Sequence, residues 1–101
     1  MLEKEFEKKV KKFLKSLDNC YFLKTWGGGF QRTGIPDLYV CYNGKFLGIE
    51  LKNETGKASE LQKYDLKQIR KAGGYGYVVR PQNFEEFKKL MYHIGKLENK
   101  R

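Results

Sequence analysis

The stretch "TGIPDLYVCYNGKFLGIELKN", residues 33–53, decides how this chain is read. Two apolar runs, 37–42 and 45–53, are joined by Asn43-Gly44, the dipeptide that most strongly marks a two-residue hairpin turn. That turn pairs Tyr42 with Lys45, and carrying the register outward sets Asp37 opposite Glu50. One face of the hairpin then holds Leu38, Val40, Leu47, Ile49 and Leu51, which reads as core. The other holds Tyr39, Cys41, Phe46 and Gly48, together with Asp37, Glu50 and Lys52. Like charges directly opposed across strands destabilise a sheet, so the two acids require a counter-charge. A divalent cation supplies it with the oxygen ligands and waters that suit Mg²⁺. Lys52 supplies part of it in the alternative reading, an ordinary ion cluster at a strand end. A bulge in either strand would move Asp37 off this face.

Outward from the hairpin the periodicity changes. Leu2, Phe6, Val10, Phe13, Leu14 and Leu17 recur at three- and four-residue spacing, which predicts an amphipathic helix of about four turns ended by Asp18-Asn19. Residues 20–26 read as a strand, and 27–36 as a glycine-rich loop. After the hairpin, Ser59 opens a helix that runs to about residue 72 and stops at Gly73-Gly74. Residues 75–80 read as a fourth strand. A last helix follows, where Asn83 and Glu86 have capping-box spacing and Phe84, Phe87, Leu90, Met91, Ile94 and Leu97 form the apolar stripe. The expected class is α/β: an αβββαβα order with a mixed central sheet flanked by helices, in one domain spanning residues 1–101 with 97–101 as a frayed tail.

Composition narrows the function. Twenty-one Lys and Arg against twelve Asp and Glu give a net charge of +9 on 101 residues, which favours a polyanionic partner, nucleic acid first. No apolar stretch approaches a membrane span, and the start "MLEKEFEKK" is not a signal peptide, so a cytoplasmic location is expected. Cys20 and Cys41 read as buried thiols of a reducing compartment. With one histidine, His93, far away in a helical pattern, a zinc site is not expected. Gly27 to Gly29 are not a phosphate-binding loop of the Gly-Lys-Ser/Thr kind. They either let the backbone approach a phosphate, with Lys24, Gln31, Arg32 and Thr33 as nucleic-acid contacts, or form a plain flexible loop. Trp26 and Phe30 stand beside this loop as candidates for touching an unpaired base.

A basic surface and a paired-acid hairpin suit phosphodiester hydrolysis, which needs a Lewis acid, an activated water and relief of developing negative charge. In this reading Asp37 and Glu50 hold the metal, and Lys52 orients the water and steadies the transition state.

"GIPD" at 34–37, "IELK" at 49–52 and "LQK" at 61–63 together resemble the PD-(D/E)XK nuclease superfamily. Within it, the chain looks like the compact VRR-NUC domains of phage and bacterial replication and repair nucleases. The resemblance covers nearly the whole chain and implies a restriction-endonuclease-like core. It implies Asp37, Glu50 and the backbone carbonyl of Leu51 as ligands of Mg²⁺, with Mn²⁺ as a substitute, and Lys52 as the catalytic lysine. Gln62 would be the helix glutamine that serves the site, although its place three residues after Ser59 also suits a capping box. The family's first-helix glutamate maps to Glu3, with Glu7 one turn on as the fallback. Both also suit acids at the positive, N-terminal end of a helix dipole. The stand-alone members imply a homodimer acting on four-way (Holliday) DNA junctions. The rivals are a nuclease for flaps, nicks, single strands or duplex DNA, and a non-catalytic nucleic-acid-binding module.

Overall fold

The computed structural model describes residues 1–26 and 33–98. Helix α1 (Glu3–Lys15) leads into β1 (Cys20–Lys24); β2 (Leu38–Tyr42) and β3 (Lys45–Leu51) form the hairpin. Helix α2 (Glu60–Lys71), β4 (Tyr75–Val79), a 3₁₀ turn (Pro81–Asn83) and α3 (Phe84–Lys96) complete the chain. The order αβββαβα is the one the periodicity predicts.

The four strands lie in the order β1-β2-β3-β4, antiparallel except for the parallel pair β3–β4. Asn43 and Gly44 take φ of 51° and 75°, the two left-handed residues a type I′ turn demands. The hairpin register is the expected one: Tyr42 pairs with Lys45, Val40 with Leu47 and Leu38 with Ile49. The parallel partner arrives through α2, the crossover that parallel strands require.

Helices cover both faces of the sheet. On one, Phe6, Val10, Phe13 and Leu14 of α1 and Phe87, Met91 and Ile94 of α3 bury Leu38, Val40, Leu47, Ile49, Leu51 and Val79. Phe13 meets Phe84 and Phe87 edge to face, with centroids 6.0 and 6.2 Å apart. On the other face α2 crosses β3 and β4 where Gly48 and Gly76 pair side by side. A Cβ on Gly76 would lie 2.5 Å from the Leu66 carbonyl oxygen, and one on Gly48 would lie 2.4 Å from the Ile69 methyl. The two glycines therefore set how close α2 comes.

Edge strand β4 directs the backbone of Tyr75, Tyr77 and Val79 toward β3 and that of Gly76 and Val78 outward. Both outward carbonyls are occupied: Gly76 O accepts from Arg70 Nη1 at 2.7 Å, and Val78 O from Asn83 Nδ2 at 3.1 Å.

Three local expectations differ. Asn83 makes no capping box with Glu86; its side-chain oxygen accepts from Arg80 N at 2.7 Å, because the 3₁₀ turn opens one residue after Arg80. Cys41 is exposed and Cys20 half-buried, both free, because α2 covers the β3–β4 half of its face and leaves Cys41 on β2 open. Strand β2 begins at Leu38 and not at Asp37, with consequences taken up below. The proposed frayed tail starts at Leu97, whose N–H still bonds to Ile94 O at 3.1 Å; residues 99–101 lie outside the described part.

The close approach at Gly76 predicts that Gly76→Ala, which would push against the backbone of α2, lowers stability by roughly 1–3 kcal/mol. The midpoint of urea unfolding measures this, and an unchanged midpoint would show that α2 does not rest on that glycine.

Candidate active site

Strand β3 ends in Glu50 and Leu51, whose side chains point to opposite faces. Leu51 enters the core, and Glu50 points under α2, where it is 1% exposed. A carboxylate taken that far from water must be met by donors or by charge. Two side chains meet it. Lys52, on the same face, brings its ammonium to 3.2 Å from Oε2, and Gln62 Nε2 donates to the same oxygen at 2.5 Å.

Gln62 reaches Glu50 from the first turn of α2, and the cap of that helix aims it. Ser59 Oγ accepts from Gln62 N at 3.1 Å, while Gln62 Oε1 accepts from Ser59 N at 2.8 Å. The capping box uses the amide oxygen and leaves the amide nitrogen for Glu50, so both expected readings of Gln62 hold in one side chain.

The second oxygen, Glu50 Oε1, is buried and has no hydrogen-bond partner among the described residues. Burial first and the negative charge of Asp37 second raise the Glu50 pKa to about 7, against the lowering influence of Lys52 and of the Asp37 backbone. Lys52 alone therefore does not neutralise the site. The ordinary strand-end ion cluster accounts for Oε2 and leaves Oε1 without a partner.

Asp37 lies just outside the β2–β3 ladder. Its Oδ2 accepts from Leu51 N at 2.8 Å, so the carboxylate caps the end of β3 where a backbone carbonyl would otherwise stand. The strict cross-strand opposition of Asp37 and Glu50 is replaced by a splayed end. β2 leaves β3 after Leu38 and turns toward β1, where Thr25 N bonds to Asp37 O at 2.9 Å. The pair of acids is still brought together, as the influence of Asp37 on Glu50 records.

Lys52 leads straight into a tight loop. Asn53 Oδ1 accepts from Gly56 N at 2.7 Å, and Arg80 Nη1 donates to Asn53 O at 3.2 Å and to Gly56 O. Arg80 thus anchors the segment that follows the lysine, a role nothing in the spacing of Arg80 announced.

The first-helix acids part company. Glu3 is exposed at the start of α1. Glu7 is half-buried, with Lys24 Nζ at 2.5 Å and Lys11 Nζ at 2.9 Å. Burial raises the Glu7 pKa, but the two lysines outweigh it and hold the carboxyl below its ordinary value. Glu7 thereby ties α1 to the end of β1, one residue before Thr25. Of the suggested nucleic-acid contacts, Lys24 is engaged by Glu7, Thr33 is exposed, and Gln31 and Arg32 lie outside the described residues, as do Gly27 to Phe30. Trp26 is exposed. Among the described residues no group of three or more His, Cys, Asp or Glu side chains gathers as a metal site. Asp37 and Glu50 are the two carboxylates that come together at this strand end. No helix among these residues is long and apolar enough to cross a membrane.

No protein-family model and no curated protein matches the sequence. Solved structures do match the fold. A VRR_NUC domain protein superposes with a TM-score of 0.73 over 98% of this chain and 94% of that one, at 19% identity. The chain has the VRR-NUC fold. Hjc, a Holliday junction resolvase from the archaeal hyperthermophile Archaeoglobus fulgidus, superposes with a TM-score of 0.55 over 77% of this chain and 68% of its own, at 21% identity. In this VRR-NUC fold the splayed end of β2 and β3, beneath the first turn of α2, carries Asp37, Glu50, Lys52 and Gln62 together.

The raised pKa of Glu50 sets a pH dependence for the metal-free protein. The folded state holds the proton more tightly than the unfolded chain, so stability is highest below the ordinary carboxylate pKa and falls as pH rises toward about 7. Glu50→Gln removes this loss. In EDTA, its stability relative to the parent should improve by about 2–3 kcal/mol between pH 4.5 and 7.5. Chemical unfolding at a series of pH values measures the difference, and parallel curves would mean that Glu50 is not strained by its charge.

Proposed function

We propose that this protein is a divalent-metal-dependent nuclease that hydrolyses phosphodiester bonds in DNA. The observation that carries the reading is the buried, unpartnered Glu50 Oε1 beside a second carboxylate and an ammonium group. An oxygen in that condition suits a cation, and the donor set is hard: two carboxylates, with the Leu51 carbonyl at the same strand end. Asp37, Glu50 and the Leu51 carbonyl would hold the ion, with Mg²⁺ as the natural occupant and Mn²⁺ as its substitute. When bound, it supplies Lewis acidity toward a phosphate oxygen and makes water easier to deprotonate.

The rest of the work falls to side chains already in place. Gln62 and Lys52 fix Glu50 through Oε2 and leave Oε1 without a hydrogen-bond partner among the described residues. The Leu51 N–H holds the Asp37 carboxylate in a single orientation. The Lys52 ammonium would orient the attacking water and stabilise the negative charge that develops on the phosphate. The +9 surface draws the DNA backbone in. Likeness of fold to Hjc, a Holliday junction resolvase, supports four-way junctions as the preferred substrate, with a homodimer presenting two sites for paired incisions. The half-burial of Glu7, held by Lys24 at the end of β1, supports the fallback Glu7 over exposed Glu3 as the first-helix acid.

Purified protein incubated with four-way junction, flap, nicked duplex, linear duplex and single-stranded DNA tests the reading. Paired nicks in the junction are expected with Mg²⁺ or Mn²⁺ and none with EDTA. Lys52→Ala should lower the rate by about 10²–10³-fold while leaving DNA binding in place. Metal-dependent cutting of the other substrates would keep the nuclease and discard junction selectivity. Binding without cutting under every metal condition would replace the nuclease with a nucleic-acid-binding module.

A further inference from the structure

The position of Asp37 depends on a departure from the hairpin ladder, and that departure has an identifiable cause. In a hairpin closed by Tyr42 and Lys45, alternate pairs exchange both backbone hydrogen bonds: Tyr42 with Lys45, Val40 with Leu47, Leu38 with Ile49. The next such pair would be Pro36 and Leu51, and the Pro36 carbonyl would accept the Leu51 N–H. It does not. The Leu51 N–H goes to Asp37 Oδ2 at 2.8 Å, and the Pro36 carbonyl accepts instead from the hydroxyl of Thr25 at 2.6 Å.

Thr25 stands just past the end of β1, where Lys24 pairs with Leu38. It holds the incoming chain twice. Its N–H bonds to Asp37 O at 2.9 Å, and its Oγ1 lies 2.6 Å from Pro36 O and 3.2 Å from Asp37 O. Proline has no N–H of its own to give the ladder, which removes half of what would hold residue 36 against β3. The hydroxyl therefore decides between two acceptors for Leu51. With it, the Pro36 carbonyl is drawn toward β1, the strands splay, and the Asp37 carboxylate occupies the vacated place.

We infer that Thr25 is a positioning residue: its hydroxyl holds the Pro36–Asp37 backbone away from β3, so that the Asp37 carboxylate is locked on the Leu51 N–H as a preformed cation ligand. This rests on the metal-binding reading above and assigns Thr25 no contact with substrate. Groups that orient a ligand typically contribute as much to metal affinity as tenfold to a hundredfold, without touching the ion. Nothing in the spacing of Thr25 marks it. It directly follows Lys24, the last residue of β1, in sequence, and only the folded arrangement brings it to Pro36.

The test compares wild type, Thr25→Val, which keeps the shape and loses the donor, and Thr25→Ser, which keeps the donor. Mn²⁺ binding to the protein without DNA is measured by calorimetry, and the Leu51 amide is followed by NMR in the metal-free state. Thr25→Val is expected to weaken Mn²⁺ binding by about tenfold and to move the Leu51 amide proton upfield as its acceptor changes from carboxylate to carbonyl. Thr25→Ser should leave both within about twofold of wild type or at the wild-type position, with equal melting temperatures throughout. Thr25→Ala makes the same comparison if the valine variant does not fold. Equal Mn²⁺ binding by wild type and Thr25→Val, or a serine variant as weak as the valine one, overturns the positioning role. A wild-type protein that takes up no Mn²⁺, yet whose Leu51 amide moves in Thr25→Val, upholds the positioning of Asp37 and overturns the metal reading instead.

Discussion

Helix α2 lies so near the central strands that neither Gly48 nor Gly76 has room for a Cβ, and the condition of Glu50 follows from that approach. A helix one side chain further out would leave Glu50 wet, paired loosely with Lys52 and unremarkable in its acidity. Brought down on the two glycines, α2 shuts out water, delivers Gln62 at hydrogen-bond distance and leaves one carboxylate oxygen with no hydrogen-bond partner among the described residues. Burying a charge without enough compensation is costly, so Glu50 keeps its proton to a higher pH than an ordinary carboxylate. Packing at the middle of the sheet is thus converted into electrostatics at its end.

The same end is built from three segments that each surrender a regular interaction. The hairpin loses a ladder bond between Pro36 and Leu51, and a side-chain carboxylate replaces it. Helix α2 spends its cap residue twice, once on Ser59 and once on Glu50. The segment after Lys52 is held not by strand pairing but by Arg80 from beyond β4. Each substitution exchanges a backbone partner for a side chain. Side chains can be directed at a site in ways that a sheet ladder cannot.

Much of this was legible in the chain because it is local. Asn43-Gly44 demands two left-handed residues, has them, and fixes the register from Leu38 to Ile49 and the face on which Glu50 and Lys52 fall. Helical periodicity found α1, α2 and α3, and Ser59 with Gln62 announced its cap. What escaped depends on distant partners competing for one group. Asn83 has capping-box spacing with Glu86, but the N–H of Arg80 and the carbonyl of Val78 claim its amide first. Cys41 has a strand neighbourhood that suggests burial, yet exposure is set by how far α2 extends across the sheet. Asp37 was expected opposite Glu50, and the hydroxyl of Thr25, twelve residues earlier, draws the chain aside. Glu7 and Glu3 look alike in sequence; the lysine at the end of β1 distinguishes them.

The occupied carbonyls along β4 bear on how the molecule meets its neighbours. An unguarded outer strand is a template on which another chain can lay itself down. Here an arriving strand would find the acceptors of Gly76 and Val78 already taken, one of them by a guanidinium group, and would have to displace those donors to use either carbonyl. Growth of the sheet from that side is disfavoured from the outset. Copies of the protein can then stand side by side with less tendency to fuse through this edge into a continuous β-structure.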